Sequence, residues 1–319
     1  MIELLNTTIL IVSVILRIAF FTLLERKFIR YTQNRKGPNK ATIIGILQPM
    51  SDAIKLIGKE LNINLKSNFI IFIVSPIINI ICSIIIWISF PFVFNFIFIK
   101  LRIIFIIRCS SFNTISIIII RWSSNSNYAF IGIIRTISQI ISYEINFIII
   151  IIIIINLNEE ININNIIKIQ KYTPLILIIP IILVIWVITT LAETNRTPFD
   201  FSEGESELIS GFNIDFRSNI FILLFLAEYS RILFIRFVTI SIFTGITPHQ
   251  PQFLIFYVLI CILFVWTRST FPRFRYDKLI KLNWTQILPT SIFILFSSFI
   301  IKFYYTKKNH KIRELLNSK

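Results

Sequence analysis

The sequence is poor in negative charge, in glycine and in the side chains that usually hold cofactors. Its 319 residues include only 16 Asp and Glu against 32 Lys and Arg, with seven Gly, three Cys and two His. The cysteines form no CxxC pair, which excludes a zinc, iron–sulfur or disulfide framework of recognisable spacing. Neither a Walker A loop nor a GxGxxG fingerprint is present. We therefore expect this chain to bind no cofactor and no metal itself.

Apolar residues are abundant and occur in long runs. Hydrophobic residues make up 55% of the chain, with Ile the dominant type, and runs of roughly 20 apolar residues are typical of transmembrane helices. A span exposed to lipid must satisfy its own backbone hydrogen bonds, so we expect an all-α integral membrane protein. It would form a single membrane domain over 1–319 with eight transmembrane helices. They are predicted at 4–24, 69–90, 101–120, 129–155, 174–191, 219–240, 252–268 and 286–305.

The positive charge lies mainly in alternate connections. A net charge of +16 would also suit nucleic acid, but in a chain with many spans Lys and Arg mark the loops that stay inside. The connections after spans 1, 3, 5 and 7 hold most of these residues, and few lie in the opposite connections. The odd-numbered loops should therefore face the cytoplasm or matrix, with both termini on the other side. Nucleic acid is not an expected partner.

Residues 48–60, "QPMSDAIKLIGKE", are too short and too charged to cross a membrane. Pro49 suits the first helical position, and Ile54, Leu56 and Ile57 form a partly apolar side opposite the charged residues. The pattern favours a short amphipathic helix lying on the membrane surface. An ordinary capped loop helix fits the pattern equally well.

Ionisable residues inside the predicted spans need a partner or a function, because each is costly at mid-membrane. Glu228 and Arg231 in span 6 are i, i+3 neighbours that could pair along one helix face. In span 4, Glu144 points away from a polar stripe, so this helix should lie between two polar neighbours. The stripe consists of Arg135, Ser138, Gln139, Ser142 and Asn146.

The scarce negative charge is concentrated in one connection, "AETNRTPFDFSEGESE" at 192–207. Six of the 16 acidic residues fall within 23 positions of this region. Crowded carboxylates repel one another, which raises some of their pKa values and lets such a group hold and pass protons. A solvated acidic loop is the simpler interpretation. The six are Glu193, Asp200, Glu203, Glu205, Glu207 and Asp215.

Four segments in order carry a resemblance to a known family. They resemble the subunit 1 family of proton-pumping NADH:quinone oxidoreductases, respiratory complex I. In chain order the segments are "ERKFIRYTQNRKGPNKATIIGILQPMSDAIKLIGKE", "WSSNSNYAFIGIIRTISQIISYE", "LAETNRTPFDFSEGESELISGFNIDF" and "RSTFPRFRYDKLIKLNWTQILP". Together with the eight spans, the similarity covers nearly the whole chain. The Ile-rich composition and the length are similar to those of a mitochondrially encoded copy.

The resemblance implies a multi-pass subunit of the mitochondrial inner membrane, with odd-numbered loops in the matrix and termini on the intermembrane-space side. It would line a chamber for the substrate ubiquinone, with FMN and the iron–sulfur clusters held by partner subunits. Implied partners are the hydrophilic quinone-site and terminal iron–sulfur subunits, neighbouring membrane-arm subunits, and an anionic lipid such as cardiolipin as a candidate. No catalytic residue is expected in this chain.

The resemblance also assigns residues to two groups. The first would border the quinone chamber: Glu25, Arg26, Arg35, Asp52, Arg196, Phe199 and Arg275. The second would form a polar path that couples quinone reduction to proton translocation: Glu144, Glu193, Asp200, Glu203, Glu205, Glu207 and Glu228.

Two other functions remain open from the residues alone. An ion-coupled secondary transporter would use Glu144 and Glu228 as its ion site, but it predicts an internal repeat that the sequence lacks. The membrane subunit of a related hydrogenase-type complex would share the same motifs.

Overall fold

The computed structural model describes residues 2–40, 43–60, 67–89, 101–171, 173–200, 216 and 218–317, and in these ranges the regular structure is entirely helical. Several of the helices exceed 20 residues, the length that crosses a bilayer. The first six are α1 (Ile2–Thr32), α2 (Gln48–Ile57), α3 (Phe69–Ile88), α4 (Arg102–Ser123), α5 (Asn127–Asn158) and α6 (Ile163–Gln170). The next four are α7 (Leu175–Ile178), α8 (Pro180–Glu193), α9 (Ser218–Phe243) and α10 (Pro251–Thr270). The chain continues with α11 (Tyr276–Leu282), a π segment (Asn283–Ile287) and α12 (Leu288–Asn317).

Six segments of the described chain are long and apolar enough to cross a membrane. Two other predicted spans are helical without meeting that standard. Helix α8 has only 14 residues, and α9 has 26 residues but carries Glu228, Arg231 and Arg236. The six are Leu5–Thr32, Phe69–Ile88, Arg102–Ser123, Phe130–Asn158, Pro251–Thr270 and Tyr276–Tyr304.

The predicted continuous span 174–191 is interrupted near its start. Helix α7 ends at Ile178, Ile179 adopts φ −140° and ψ 81°, and α8 begins at Pro180. Proline lacks a backbone N–H and restricts the residue before it to extended conformations, so the helix restarts there. Pro180 occupies the first turn of α8, where its missing N–H has no intrahelical partner in any helix.

Helix α9 lies at the centre of the bundle and packs against α1, α3 and α10, while α5 packs against α4, α8 and α12. Aromatic side chains fill the interior. Trp87 meets Phe234 edge-on with ring centroids 5.6 Å apart, and Trp186 stacks on Phe147 at 4.9 Å. Lipid is as apolar as these rings, so close packing, with its dispersion contacts, holds the helices together.

The polar stripe predicted on α5 is confirmed by its hydrogen bonds. Gln139 Nε2 donates to the carbonyls of Ala192 (2.8 Å) and Phe199 (2.9 Å), which lie at and beyond the end of α8. Farther along, Asn283 of the π segment donates to the Ser142 carbonyl at 2.8 Å and accepts from Asn146. Buried polar groups bonded across helices fix how α5 sits against its neighbours.

The short helix predicted at 48–60 occupies Gln48–Ile57, and none of its residues is buried. It follows a turn in which Gly45 has φ +73°, a conformation that favours glycine. A Cβ on Gly45 would lie 2.1 Å from the Pro38 carbonyl oxygen, so no other residue fits there without movement of the chain. On its inner side, α2 is tied to α1 by an ion pair between Asp52 and Arg26.

Candidate functional site

A buried carboxylate at the end of α1 gathers charged residues from distant parts of the chain. Glu25 is 6% exposed. Its Oε1 pairs with Arg268 and, at 3.4 Å, with Arg196, while its Oε2 accepts from the Tyr229 hydroxyl at 2.7 Å. Both carboxylate oxygens therefore have a donor, which is the condition under which a buried charge is tolerated. We call these four residues the Glu25 cluster.

Aromatic rings enclose the Glu25 cluster. The Arg196 guanidinium lies over the Tyr229 ring, 4.4 Å from its centroid, a cation–π contact. Phe225 packs on Tyr229 at 4.3 Å and Phe21 at 5.9 Å between ring centroids. Because these rings keep solvent from the charges, the ion pairs act in a medium of lower dielectric constant than water.

A polar cavity of about 230 Å³ adjoins this cluster. Arg196, Tyr229 and Arg268 form one side of it, and Glu228 and Arg231 of α9 form another. Asparagines of α3 and α4 also line it. Apolar side chains close the remainder, so the space combines an apolar wall with a few polar groups, as ligand sites do. The asparagines of α3 and α4 are Asn79 and Asn113, and Asn195 lines the cavity from the segment that follows α8.

A second buried carboxylate, Glu193, lies at the end of α8. It is 2% exposed, and its Oε2 atom has no hydrogen-bond partner in the part of the chain that the structure describes. Arg231 donates to the Glu193 main-chain carbonyl, and both Arg231 and Glu144 lie close enough to act electrostatically on Glu193. The predicted proton-coupling residues Glu144 and Glu193 are thus brought together. Glu228 lies on the cavity side of Arg231, one helical turn before it.

The segment after α8 is held in place by several contacts that include a cis peptide bond between Thr197 and Pro198. The Phe274 N–H donates to the Pro198 carbonyl at 3.0 Å, and the Phe199 ring lies 5.6 Å from that of Phe274. Asp200 is 6% exposed and pairs with Arg273 at 3.6 Å. Phe199 and Asp200 are therefore buried beneath the connection that follows α10.

Outside the spans, Asp52 of α2 has a perturbed pKa. Partial burial raises the pKa, but hydrogen bonds donated by Arg26 and Gln48 outweigh it, so the pKa of Asp52 lies below its ordinary value of 3.8. Hydrogen bonds to the charged form favour that form. The Arg26–Asp52 pair is largely exposed and joins α1 to α2 at one end of the molecule.

Not every residue of the two groups reaches this site. Arg35 is exposed, and Arg275 is exposed and pairs with Asp277 at 3.5 Å. Glu203, Glu205 and Glu207 lie outside the described residues. In the ranges that the structure describes, no group of three or more His, Cys, Asp or Glu could hold a metal ion.

Sequence analysis missed four residues that line the cavity or bond Glu25. Arg268 and Tyr229 stand inside or beside motifs that were recognised, but nothing in their spacing shows that both reach a glutamate more than 200 residues earlier. Asn79 and Asn113 lie within predicted spans, and Asn113 is flanked by Ser111 and Thr114. A polar residue at mid-span is the only signal that could have identified them.

Comparison with known proteins gives concordant matches. The sequence profile of the family described as NADH dehydrogenase matches residues 5–299. A protein of Aedes aegypti called NADH-ubiquinone oxidoreductase chain 1 is 43% identical over 93% of this chain and 95% of its own length. Proteins of the same name from Locusta migratoria and Pongo pygmaeus are 43% and 41% identical, over 92% and 91% of this chain and 93% of their own lengths.

Proposed function

This chain belongs to the NADH dehydrogenase family, and the relatives that it matches are called NADH-ubiquinone oxidoreductase chain 1. We propose that it is a core membrane subunit of NADH:ubiquinone oxidoreductase. It lines the ubiquinone chamber and begins the acidic path that couples quinone reduction to proton translocation. The observation that carries this proposal is the buried Glu25 cluster beside a polar cavity that also contains Glu228.

The Glu25 cluster supports the chamber part of the proposal. Ubiquinone is a long apolar molecule with a polar head, so its chamber needs apolar walls and few polar groups. Arg196, Tyr229 and Arg268 are held around Glu25 in a setting of that kind. Arg26, Asp52 and the helix α2 lie at the same end of α1, where they would border the chamber entrance. Arg35, Phe199 and Arg275 remain proposed contributors.

The carboxylates on α5, α8 and α9 support the coupling part. Reduction of a quinone to a quinol takes up two protons, so the local charge changes at each turnover. Glu228 borders the cavity, and Glu193 and Glu144 follow behind Arg231. A charge change at the cavity would alter proton occupancy along this row. Asp200, Glu203, Glu205 and Glu207 are proposed to belong to the same path.

The helices of the fold suggest how the chain crosses the membrane. We propose eight transmembrane helices, in which α7 with α8 form the fifth span and α9 the sixth, and a surface helix α2. The subunit lies in the mitochondrial inner membrane with both termini on the intermembrane-space side. Its partners are the other subunits of the complex, which carry FMN and the iron–sulfur clusters, and an anionic lipid such as cardiolipin.

Photoaffinity labelling of the assembled complex tests the chamber proposal. A ubiquinone analogue with a photoreactive head group should label peptides from 25–60 and from the Glu25 cluster, and a quinone-site inhibitor should suppress this labelling. Peptides from the lipid-facing part of α12 serve as the control, since an inhibitor should not affect their labelling. Labelling of 25–60 that is insensitive to inhibitor would contradict the proposal.

A further inference from the structure

Two asparagines at the middle of α3 and α4 line the cavity opposite the charged residues. Asn113 is 1% exposed, and its Nδ2 and Oδ1 atoms both lack a hydrogen-bond partner among the described residues. Asn79 is 4% exposed and lies across from it on α3. Neither residue belongs to the charged set through which the chamber and the proton path were proposed.

The two asparagines are linked by a third polar residue. The Ser116 hydroxyl lies one turn after Asn113 and 2.8 Å from both Asn79 Oδ1 and the Asn113 carbonyl oxygen. A hydroxyl has a single hydrogen, so it cannot satisfy both acceptors fully. The arrangement therefore holds Asn79 in place against α4 but leaves the Asn113 amide facing the cavity with both its donor and its acceptor free.

An amide in this position is costly unless something bonds it. Buried side-chain amides in proteins are nearly always hydrogen-bonded, and ordered water fills that role where protein groups do not. A cavity of about 230 Å³ has room for roughly seven or eight water molecules, because one water occupies about 30 Å³ in the liquid. The lining also offers each water several partners, including Thr194, Glu228 and Arg268.

We propose that Asn113, supported by Asn79 and Ser116, anchors a cluster of ordered water that joins the Glu25 cluster to Glu228. Asn113 is then a positioning residue: it bonds water, and the water bridges the charged groups. Since an amide donates and accepts at once, it can orient one water toward Glu228 and another toward Arg268. The inference deepens the proposed function and rests on it, because the water would link the chamber to the coupling path.

A substitution that keeps the shape but removes the amide tests this role in the assembled complex. Asn113→Leu should displace the water and lower coupled ubiquinone reduction about tenfold, the effect of one lost hydrogen bond, without raising KM for ubiquinone. Asn113→Ser restores a donor and an acceptor and should recover turnover. In cryo-electron microscopy maps of the complex, ordered water should lie beside Asn113 in the wild type and in Asn113→Ser.

Gln170→Leu is the matched control. Gln170 is also 1% exposed, and both of its amide atoms lack a partner among the described residues, but it lies on α6 and is not among the residues that line the cavity. Its substitution should leave turnover unchanged. If Asn113→Leu prevents assembly, the Asn113→Ser variant provides the test. It must retain both turnover and the ordered water, and loss of either contradicts the inference.

Three results would overturn the inference. They are wild-type turnover in Asn113→Leu, failure of Asn113→Ser to retain activity, and a rise of KM in Asn113→Leu, which would mean that the quinone head itself contacts Asn113. The maps would detect water beside Asn113 whether or not quinone binds in the cavity. Failure of the labelling experiment with water present would therefore refute the chamber proposal and leave the water site standing.

Discussion

Glu25 and Glu193 are both almost completely buried, but their carboxylates differ in their hydrogen-bond partners. Glu25 has two arginines and a tyrosine hydroxyl on its two oxygens. Among the described residues, Glu193 Oε2 has no hydrogen-bond partner, and Arg231 donates to the main-chain carbonyl of Glu193 and not to its carboxylate. A carboxylate with all its acceptors satisfied is held as a fixed charge, whereas one with a free oxygen can take up a proton. We therefore expect Glu25 to act through its fixed position and Glu193 to exchange protons, as the proposed function requires.

The largest effect should come from removing the fixed charge. Glu25→Gln leaves Arg196 and Arg268 without their counter-charge, and breaking a buried pair costs about 3–5 kcal/mol. Arg268 is 34% exposed, so we expect the lower end of that range. Inhibitor-sensitive ubiquinone reduction should fall about 100-fold, while NADH oxidation by a hydrophilic artificial acceptor continues. Glu60→Gln, at an exposed carboxylate, is the control.

A different outcome is expected at the second carboxylate. Glu193→Gln removes no satisfied ion pair, so the complex should assemble normally and the amount seen on native gels should not change. The number of protons moved per electron should fall, because the path loses its exchangeable group. Unchanged proton-to-electron stoichiometry in this variant would abolish the distinction drawn between the two sites.

Tyr229→Phe would leave one carboxylate oxygen of Glu25 without its donor, just as Glu193 Oε2 lacks one among the described residues. The substitution keeps the ring beneath Arg196 but removes the hydroxyl that donates to Glu25 Oε2. A hydrogen bond to a charged group contributes about 2 kcal/mol, so quinone reduction should fall about 30-fold. An effect as large as that of Glu25→Gln would show that the ion pairs alone do not hold the cluster.

The smallest effect is expected at the exposed pair of Arg26 and Asp52. Arg26→Ala should loosen α2 by less than about 1 kcal/mol, because exposed ion pairs contribute little. Since the pKa of Asp52 is lowered in the folded chain, the pair contributes stability above pH 3.8 and loses it as pH falls below that value. Hydrogen exchange of the α2 amides should differ between wild type and variant at pH 7 and converge in acid.

The sequence predicted an all-helical membrane protein, and six segments of the described chain are long and apolar enough to cross a bilayer. Apolar runs locate a span because length and composition suffice, and α3 at Phe69–Ile88 begins where predicted. The break at Ile179 depends on Pro180, and a prediction from apolar run length alone does not take account of a proline inside the run. The 100° periodicity of α5 placed Gln139 and Asn146 correctly on one face, since a regular helix fixes the direction of each side chain.

The site was only half predictable. Glu25 and Arg196 were assigned by resemblance, and the structure brings them together. Arg231 was recognised only as a residue that could pair with Glu228 along its own helix, and its hydrogen bond to the main chain of Glu193 on α8 was not foreseen. Such long-range choices depend on how helices cross, which local periodicity does not specify. The same limit hid Arg268 and Asn113.

The ion pairs of Glu25 also have a consequence for the synthesis and membrane insertion of the chain. Its partners lie 171 and 243 residues later, so the first helix enters the bilayer with a glutamate whose counter-charges have not been synthesised. At about 5–20 residues per second, the ribosome needs on the order of tens of seconds to reach Arg268. Until then the charge of Glu25 lacks at least one of its two arginine partners, and burying it is unfavourable. Closure of its ion pairs therefore marks the moment when nearly the whole subunit has been inserted.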